Sequence, residues 1–279
     1  MKSITDTAIS RRQAVALGAS AFATLGLAAC GSSNSSDSGS SSKKSGGVKS
    51  LTHTEGKLTI ATGNPAYTPW VVDDKPQTGK GFEAALIYAL ADEMGFAKKD
   101  VKWVRTTFDE AYAPGEHDWD LNIQQVSINS DRKKAVDFSP AYFRPTQAVV
   151  LQNSSKYASA TKCADLADAN IAVMVGTTAY DYVKDIIKGG KDEGISIFDD
   201  NSAAAQAVTS GQCDALVTDT PQAVYMVQSK QIDDGVVVGQ IPGTEDKEGL
   251  GITLAKNSPL TKYVKKAMDA LIKDGTVKK

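Results

Sequence analysis

Asp120-Leu-Asn-Ile-Gln-Gln-Val-Ser-Ile-Asn129-Ser-Asp-Arg132-Lys-Lys-Ala-Val-Asp137-Phe-Ser-Pro-Ala-Tyr-Phe143 changes character midway. Leu121, Ile123, Val126 and Ile128 are β-formers and predict a strand, which Asn129-Ser130-Asp131 turns into a short helical turn bearing Arg132, Lys133 and Lys134. A strand that ends in small polar residues at a helix start leaves backbone N–H groups pointing outward. An arginine just inside the turn adds a planar fork that matches a carboxylate. The stretch therefore reads as an anion site. Taken alone, the same residues also fit ordinary helix caps and a solvated arginine, so the flanking sequence has to decide.

On the N-terminal side, Leu58-Thr-Ile-Ala-Thr predicts a strand that runs into the loop Gly63-Asn-Pro-Ala-Tyr67-Thr-Pro-Trp70. Helical spacing over 81–95 with a glycine stop, then the strand Val101-Lys-Trp-Val-Arg, completes a βαβ unit. Pro114-Gly115 predicts a short or broken helix after Phe108.

On the C-terminal side, 144–151 reads as a long strand leaving a first lobe. A second α/β lobe follows: strands at 171–175, 195–198 and 213–219, and helices after Thr178, over 202–210 and from Pro221. Each strand ends in polar residues at a helix start, the edge where ligands bind in open α/β sheets. An amphipathic helix over 258–273 follows. The expected organisation is α/β and two-lobed, each lobe an open sheet flanked by helices, with 55–145 plus 249–279 as lobe 1, 146–248 as lobe 2, and two hinge crossings.

The organising stretch resembles "D-x-I-x-x-x-x-S-I-T-x-x-R-x-x-x-x-x-F-S-x-P-Y" of the bacterial extracellular solute-binding proteins of family 3, the polar amino acid receptors of ABC importers. Tyr67-Thr-Pro-Trp70 and Gly81-Phe82-Glu83 resemble that family's "Y-x-P-F" and "G-F-D", with Glu83 in place of Asp. The resemblance implies a type II periplasmic-binding-protein-like fold, in which 249–256 resembles the family's strand that returns the chain to the first lobe. It implies that Arg132, Ser127, Thr177 and Thr178 take a ligand carboxylate and that Asp219 takes its ammonium. By the same resemblance Tyr67 and Phe108 form apolar walls, while Asn64 and Gln124 face the ligand side chain and Gln125 is a further ligand-binding residue. Relatives for basic ligands tend to carry a carboxylate at the position of Asn64, so a strongly basic ligand is not expected. Trp70 is expected in the core. A competing implication is an enzyme resembling secreted cyclohexadienyl dehydratases on the same fold. It needs a poised acid or base, and Asp219 is the only acid the sequence places in the cleft.

The N-terminus reads as targeting. Lys2, Arg11 and Arg12 precede an apolar run over 14–29 that is too short to span a bilayer comfortably, which takes about 20 residues. Leu27-Ala-Ala-Cys30-Gly31 resembles a lipoprotein cleavage box and implies lipidation of Cys30. Arg11-Arg12 leaves the choice between general and twin-arginine export open. From 31 to 50 the chain is Ser, Gly, Asn and Lys with almost no apolar residues, which predicts a disordered tether. The expected location is lipid-anchored at the outer face of the cytoplasmic membrane, facing a permease partner. Relatives commonly continue past the final Asp274-Gly-Thr-Val-Lys-Lys279, which leaves open whether this end is native.

The 279 residues include 31 basic and 33 acidic side chains, a balance that does not call for nucleic acid. A monomer is expected, without cofactor. Cys163 and Cys213 form an even pair in an oxidising compartment, each just before a strand of the same lobe. A disulfide is expected, with two buried free thiols as the competing reading. With His53 and His117 the only histidines, no metal site is expected.

Overall fold

The computed structural model describes residues 47–278. Cys30, the expected lipidation site, and the expected tether up to residue 46 lie outside them. Among the described residues no helix is long and apolar enough to cross a membrane.

The first sheet has the order β2-β1-β3-β10-β4, built from β1 (Leu58–Gly63), β2 (Val101–Thr106), β3 (Leu121–Asn122), β4 (Val136–Phe138) and β10 (Thr253–Ala255). β1 pairs in parallel with β2 and β3, the outcome of a βαβ unit whose crossover is α1 (Phe82–Glu93). α6 (Thr261–Lys273) buries Val264, Ala267, Met268 and Leu271, a spacing that puts all four on one stripe of a helix. That stripe joins Leu86, Ile87 and Leu90 of α1 and Leu58, Ile60 and Leu121 of the sheet in one core.

The second sheet has the order β7-β6-β8-β5-β9. Its strands are β5 (Gln147–Gln152), β6 (Ile171–Met174), β7 (Ile195–Phe198), β8 (Ala215–Asp219) and β9 (Gly235–Gln240). Its helices are α3 (Ala179–Tyr182), continued by a π-helical turn over Val183–Ile187, α4 (Asn201–Thr209) and α5 (Thr220–Gln228). The chain passes from the first sheet to the second between β4 and β5 and returns between β9 and β10, so two strands of chain connect the lobes.

The structure corrects the sequence reading in four places. The strand expected through Ile128 stops at Asn122, because Gln125 takes a left-handed backbone (φ 57°) that breaks the ladder, and only Ser127 rejoins it by a bridge to Leu250. α2 (Arg132–Ala135) follows as a single turn. β9 was not foreseen. The tether ends sooner than expected, since Val48–Ser50 form a 3-10 turn and Val48 and Leu51 pack on the first core.

The fourth correction is the disulfide: Cys163 and Cys213 are both free. Side chains alternate across a strand, and along β5 Ala148 and Val150 enter one core cluster while Val149 and Leu151 enter another. Cys213 belongs to the first of these clusters and Cys163 packs on the second, so the sheet itself stands between the two sulfurs. Alkylation of the unfolded chain without reductant, followed by peptide mapping, should label both Cys163 and Cys213. Protection of both until a reductant is added would contradict this arrangement.

Candidate functional site

A cavity of about 200 Å³ is lined from both lobes. The first lobe supplies Asn64, Tyr67, Phe108, Gln124, Gln125, Ser127 and Arg132, and the second supplies Thr177, Thr178 and Asp219. The structure thus brings together every ligand-site residue nominated from the sequence. Trp70 also borders the cavity, yet it is a core residue, edge-on to Phe82 and Phe143 at centroid distances of 6.1 and 5.2 Å.

Arg132 is the most constrained cation of the site. Its backbone N–H donates to Asn129 Oδ1 at 2.8 Å, which fastens the first turn of α2. Its Nη1 donates to the Ser127 carbonyl at 2.9 Å and its Nη2 to the Gly176 carbonyl of the other lobe at 2.8 Å. The guanidinium lies over the Tyr112 ring at 4.4 Å and the Phe108 ring at 5.5 Å, a cation–π arrangement that favours the charged form in a desolvated place. Burial still lowers its pKa. Arg132 makes no ion pair among the described residues; peptide carbonyls, ring faces and the Tyr112 hydroxyl meet it directly, and Asp246 and Asp109 favour its charge without pairing with it.

Across the cavity, Asp219 ends β8 and precedes α5. Gln147, opposite it in the ladder, donates its side-chain N–H to Asp219 Oδ1. Burial pushes the Asp219 pKa up to about 7 against this one hydrogen bond, with Asp246 adding to the rise. The site therefore sets a buried cation of one lobe that has no ion-pair partner against an under-satisfied acid of the other.

Glu83 was missed as a functional residue. It sits in the first turn of α1, fully buried, and accepts from the Tyr142 hydroxyl and from the backbone and side-chain N–H groups of Gln125. Burial is the main cause of a pKa of about 7, partly opposed by these bonds. Its work is to hold the left-handed turn at Gln125 from which the chain runs on to Ser127 and Arg132. The signal was present as a lone carboxylate on the otherwise apolar buried face of α1.

Contacts also close the cleft beside the cavity. The Tyr67 hydroxyl accepts from the Asn201 N–H at 3.1 Å, and its pKa is pushed up to about 12 by burial and then by Asp200. Gly176 has φ +71°, and a Cβ there would stand 2.5 Å from Asp109 Oδ1 and Tyr112 Oη. Neither Tyr112 nor Gly176 was nominated from the sequence, because each acts through a partner far along the chain. Asp199 and Asp200 line the cavity as well, so Asp219 is not the only acid there. The Asp200 carboxylate is engaged as the cap of α4, accepting from the Ala203 N–H at 2.8 Å.

The model of the bacterial extracellular solute-binding proteins, family 3, matches residues 58–279. The ABC transporter glutamine-binding protein GlnH of Bacillus subtilis is 24% identical over 259 residues, covering 92% of this chain and 90% of its own. The solved structure of an ancestral arginine-binding protein bound to arginine superimposes with a TM-score of 0.67 at 31% identity, covering 80% of this chain and 95% of that one. The structure of the ancestral amino acid-binding protein AncCDT-1, a precursor of cyclohexadienyl dehydratase, gives 0.62 at 33% identity, covering 80% and 92%. With residues 58–279 matched and its two-lobed architecture shared with these structures, the chain belongs to the bacterial extracellular solute-binding proteins, family 3.

Proposed function

We propose that this protein is an extracytoplasmic receptor that binds a polar amino acid between its lobes and delivers it to an ABC importer. The observation that carries the reading is the pairing of two deficits across one cavity: Arg132 without a carboxylate and Asp219 without a cation. A free α-amino acid supplies both missing charges. Arg132, Ser127, Thr177 and Thr178 take the carboxylate and Asp219 takes the ammonium, each charge-assisted bond contributing about 1.5–3 kcal/mol. Tyr67 and Phe108 wall the ligand, Asn64 and Gln124 face its side chain, and Gln125 borders the cavity with its side-chain N–H held by Glu83.

Arg132 and Asp219 belong to different lobes, so the ligand joins them and favours the closed arrangement, the form a permease in the membrane reads. Lipidation at Cys30, the tether and the monomeric state complete the proposal, holding the receptor at the outer face of the membrane. Relatives named for glutamine and for arginine support an amino acid ligand without fixing its side chain. A dehydratase would need a free acid or base over the ligand. Glu83 is fully buried behind Gln125 and Tyr142 with its oxygens occupied, which favours binding without chemistry.

Calorimetric titration should show that Arg132→Ala weakens binding of free L-amino acids by about 2 kcal/mol or more, since it strips the carboxylate of its partner. N-acetylated amino acids should bind the wild type far more weakly than free ones. Equal binding of capped and free ligands would remove Asp219 from its role.

A pH series separates ligand binding from folding. Below about pH 7 the Asp219 carboxyl takes a proton, so affinity should fall, by on the order of tenfold between pH 8 and pH 5.5. The unliganded fold runs the opposite way. Glu83 and Asp219 have pKa values raised from 4.5 and 3.8 to about 7, so their stabilising contribution is full below about pH 4 and is lost as pH rises to about 7. Melting curves without and with amino acid should therefore diverge as pH rises. Parallel curves would contradict the assignment.

A further inference from the structure

We propose that Gln222, with Thr62 and Gln147, forms a side-chain subsite that selects an amino acid ending in a neutral carboxamide. This deepens the receptor reading and rests on it.

Buried polar side-chain atoms that find no hydrogen-bond partner are uncommon, because each forfeits its hydration for nothing. Among the described residues such atoms are Thr59 Oγ1, Thr62 Oγ1, His117 Nε2, Gln147 Oε1 and both amide atoms of Gln222. Thr62, Gln147 and Gln222 all line the one cavity between the lobes. Their clustering there points to a partner that occupies the cavity.

The chemistry of the cluster specifies that partner. Gln222 is 3% exposed, stands in the first turn of α5, the helix that Asp219 precedes, and is one of the residues lining the cavity. It offers one donor group and one acceptor side by side. Gln147, 4% exposed, has its N–H committed to Asp219 and offers its carbonyl oxygen; Thr62, fully buried in β1, offers a hydroxyl that can do either. Gln124 has its N–H group tied to Thr106 Oγ1 and Asn122 Oδ1, both at 3.0 Å, which leaves its carbonyl as a further acceptor. A carboxamide, with its own N–H₂ donor and carbonyl acceptor, matches this set.

Charge argues the same way. Arg132 is the only basic residue lining the cavity among the described residues, and the ligand's α-carboxylate takes it. A second carboxylate, as in glutamate, would find no cation. A basic side chain would have to use Asp200, which already caps α4, or the exposed Asp199.

The test is calorimetric titration of the wild type and of Gln222→Met with L-glutamine, its apolar counterpart L-methionine, L-glutamate and L-lysine. The wild type should bind L-glutamine at least about tenfold more tightly than the other three, because a site built to hydrogen-bond a side chain rejects one that cannot answer. Gln222→Met should reduce the preference for glutamine over methionine by on the order of tenfold, mainly through weaker glutamine binding. Thr62→Val, a substitution of the same shape, should narrow it in the same direction and stands in if the first variant does not fold.

The proposal is overturned if the wild type binds methionine or lysine as tightly as glutamine. It is also overturned if a variant loses affinity for all four ligands by the same factor, which would place Gln222 on the shared α-groups, or if the preference does not move. A wild type that binds none of the four but does bind another free amino acid without a side-chain carboxamide overturns the subsite and leaves the receptor reading standing. Failure to bind any free amino acid removes both.

Discussion

A buried guanidinium that reaches from one lobe to the other is the constraint on which the site depends. Arg132 donates to Ser127 within its own lobe and to Gly176 across the cleft, with Tyr112 and Phe108 against its faces. An unpaired buried charge is costly unless its surroundings compensate. Here peptide carbonyls and aromatic rings do so in part, and they leave the cation short of a full counter-charge. In the proposed receptor, that shortfall is what an incoming carboxylate relieves. Gly176 is the matching requirement on the other lobe, since a side chain there would meet Asp109 and Tyr112 before the arginine could reach its carbonyl.

The second lobe carries the complementary deficit. Asp219, held by Gln147 and largely withdrawn from water, has its pKa pushed up to about 7, and in the proposed receptor an ammonium would offset that rise. Glu83 shows that a similar pKa can serve a different purpose. Its hydrogen bonds all run to Gln125 and Tyr142, and they fix the backbone turn that presents Ser127 and Arg132. Two acids that titrate near the same pH thus divide the work, one facing the ligand and one supporting the frame.

Much of this was legible in the sequence because the periodicities are local. The apolar stripe of α6, the βαβ unit around α1 and the polar strand ends of the second lobe follow from side-chain spacing, and the motif around Arg132 gathers the ligand residues by resemblance. What escaped depends on tertiary placement. The early end of β3 is set by Gln125, whose left-handed turn is stabilised by Glu83, 42 residues away in the chain. The cysteine pair failed as a disulfide because proximity to two strands of one sheet does not say which face each sulfur occupies. Tyr112, Gly176 and Gln222 carry no motif, and their parts emerge only from the partners they meet or lack.

A ligand that joins Arg132 of one lobe to Asp219 of the other must hold the lobes together, and this is the central claim. Small-angle X-ray scattering on the purified protein, with and without a saturating amino acid, measures it most directly. The account predicts a smaller radius of gyration with ligand. Superimposable curves, at a concentration where calorimetry shows the site to be filled, would contradict it.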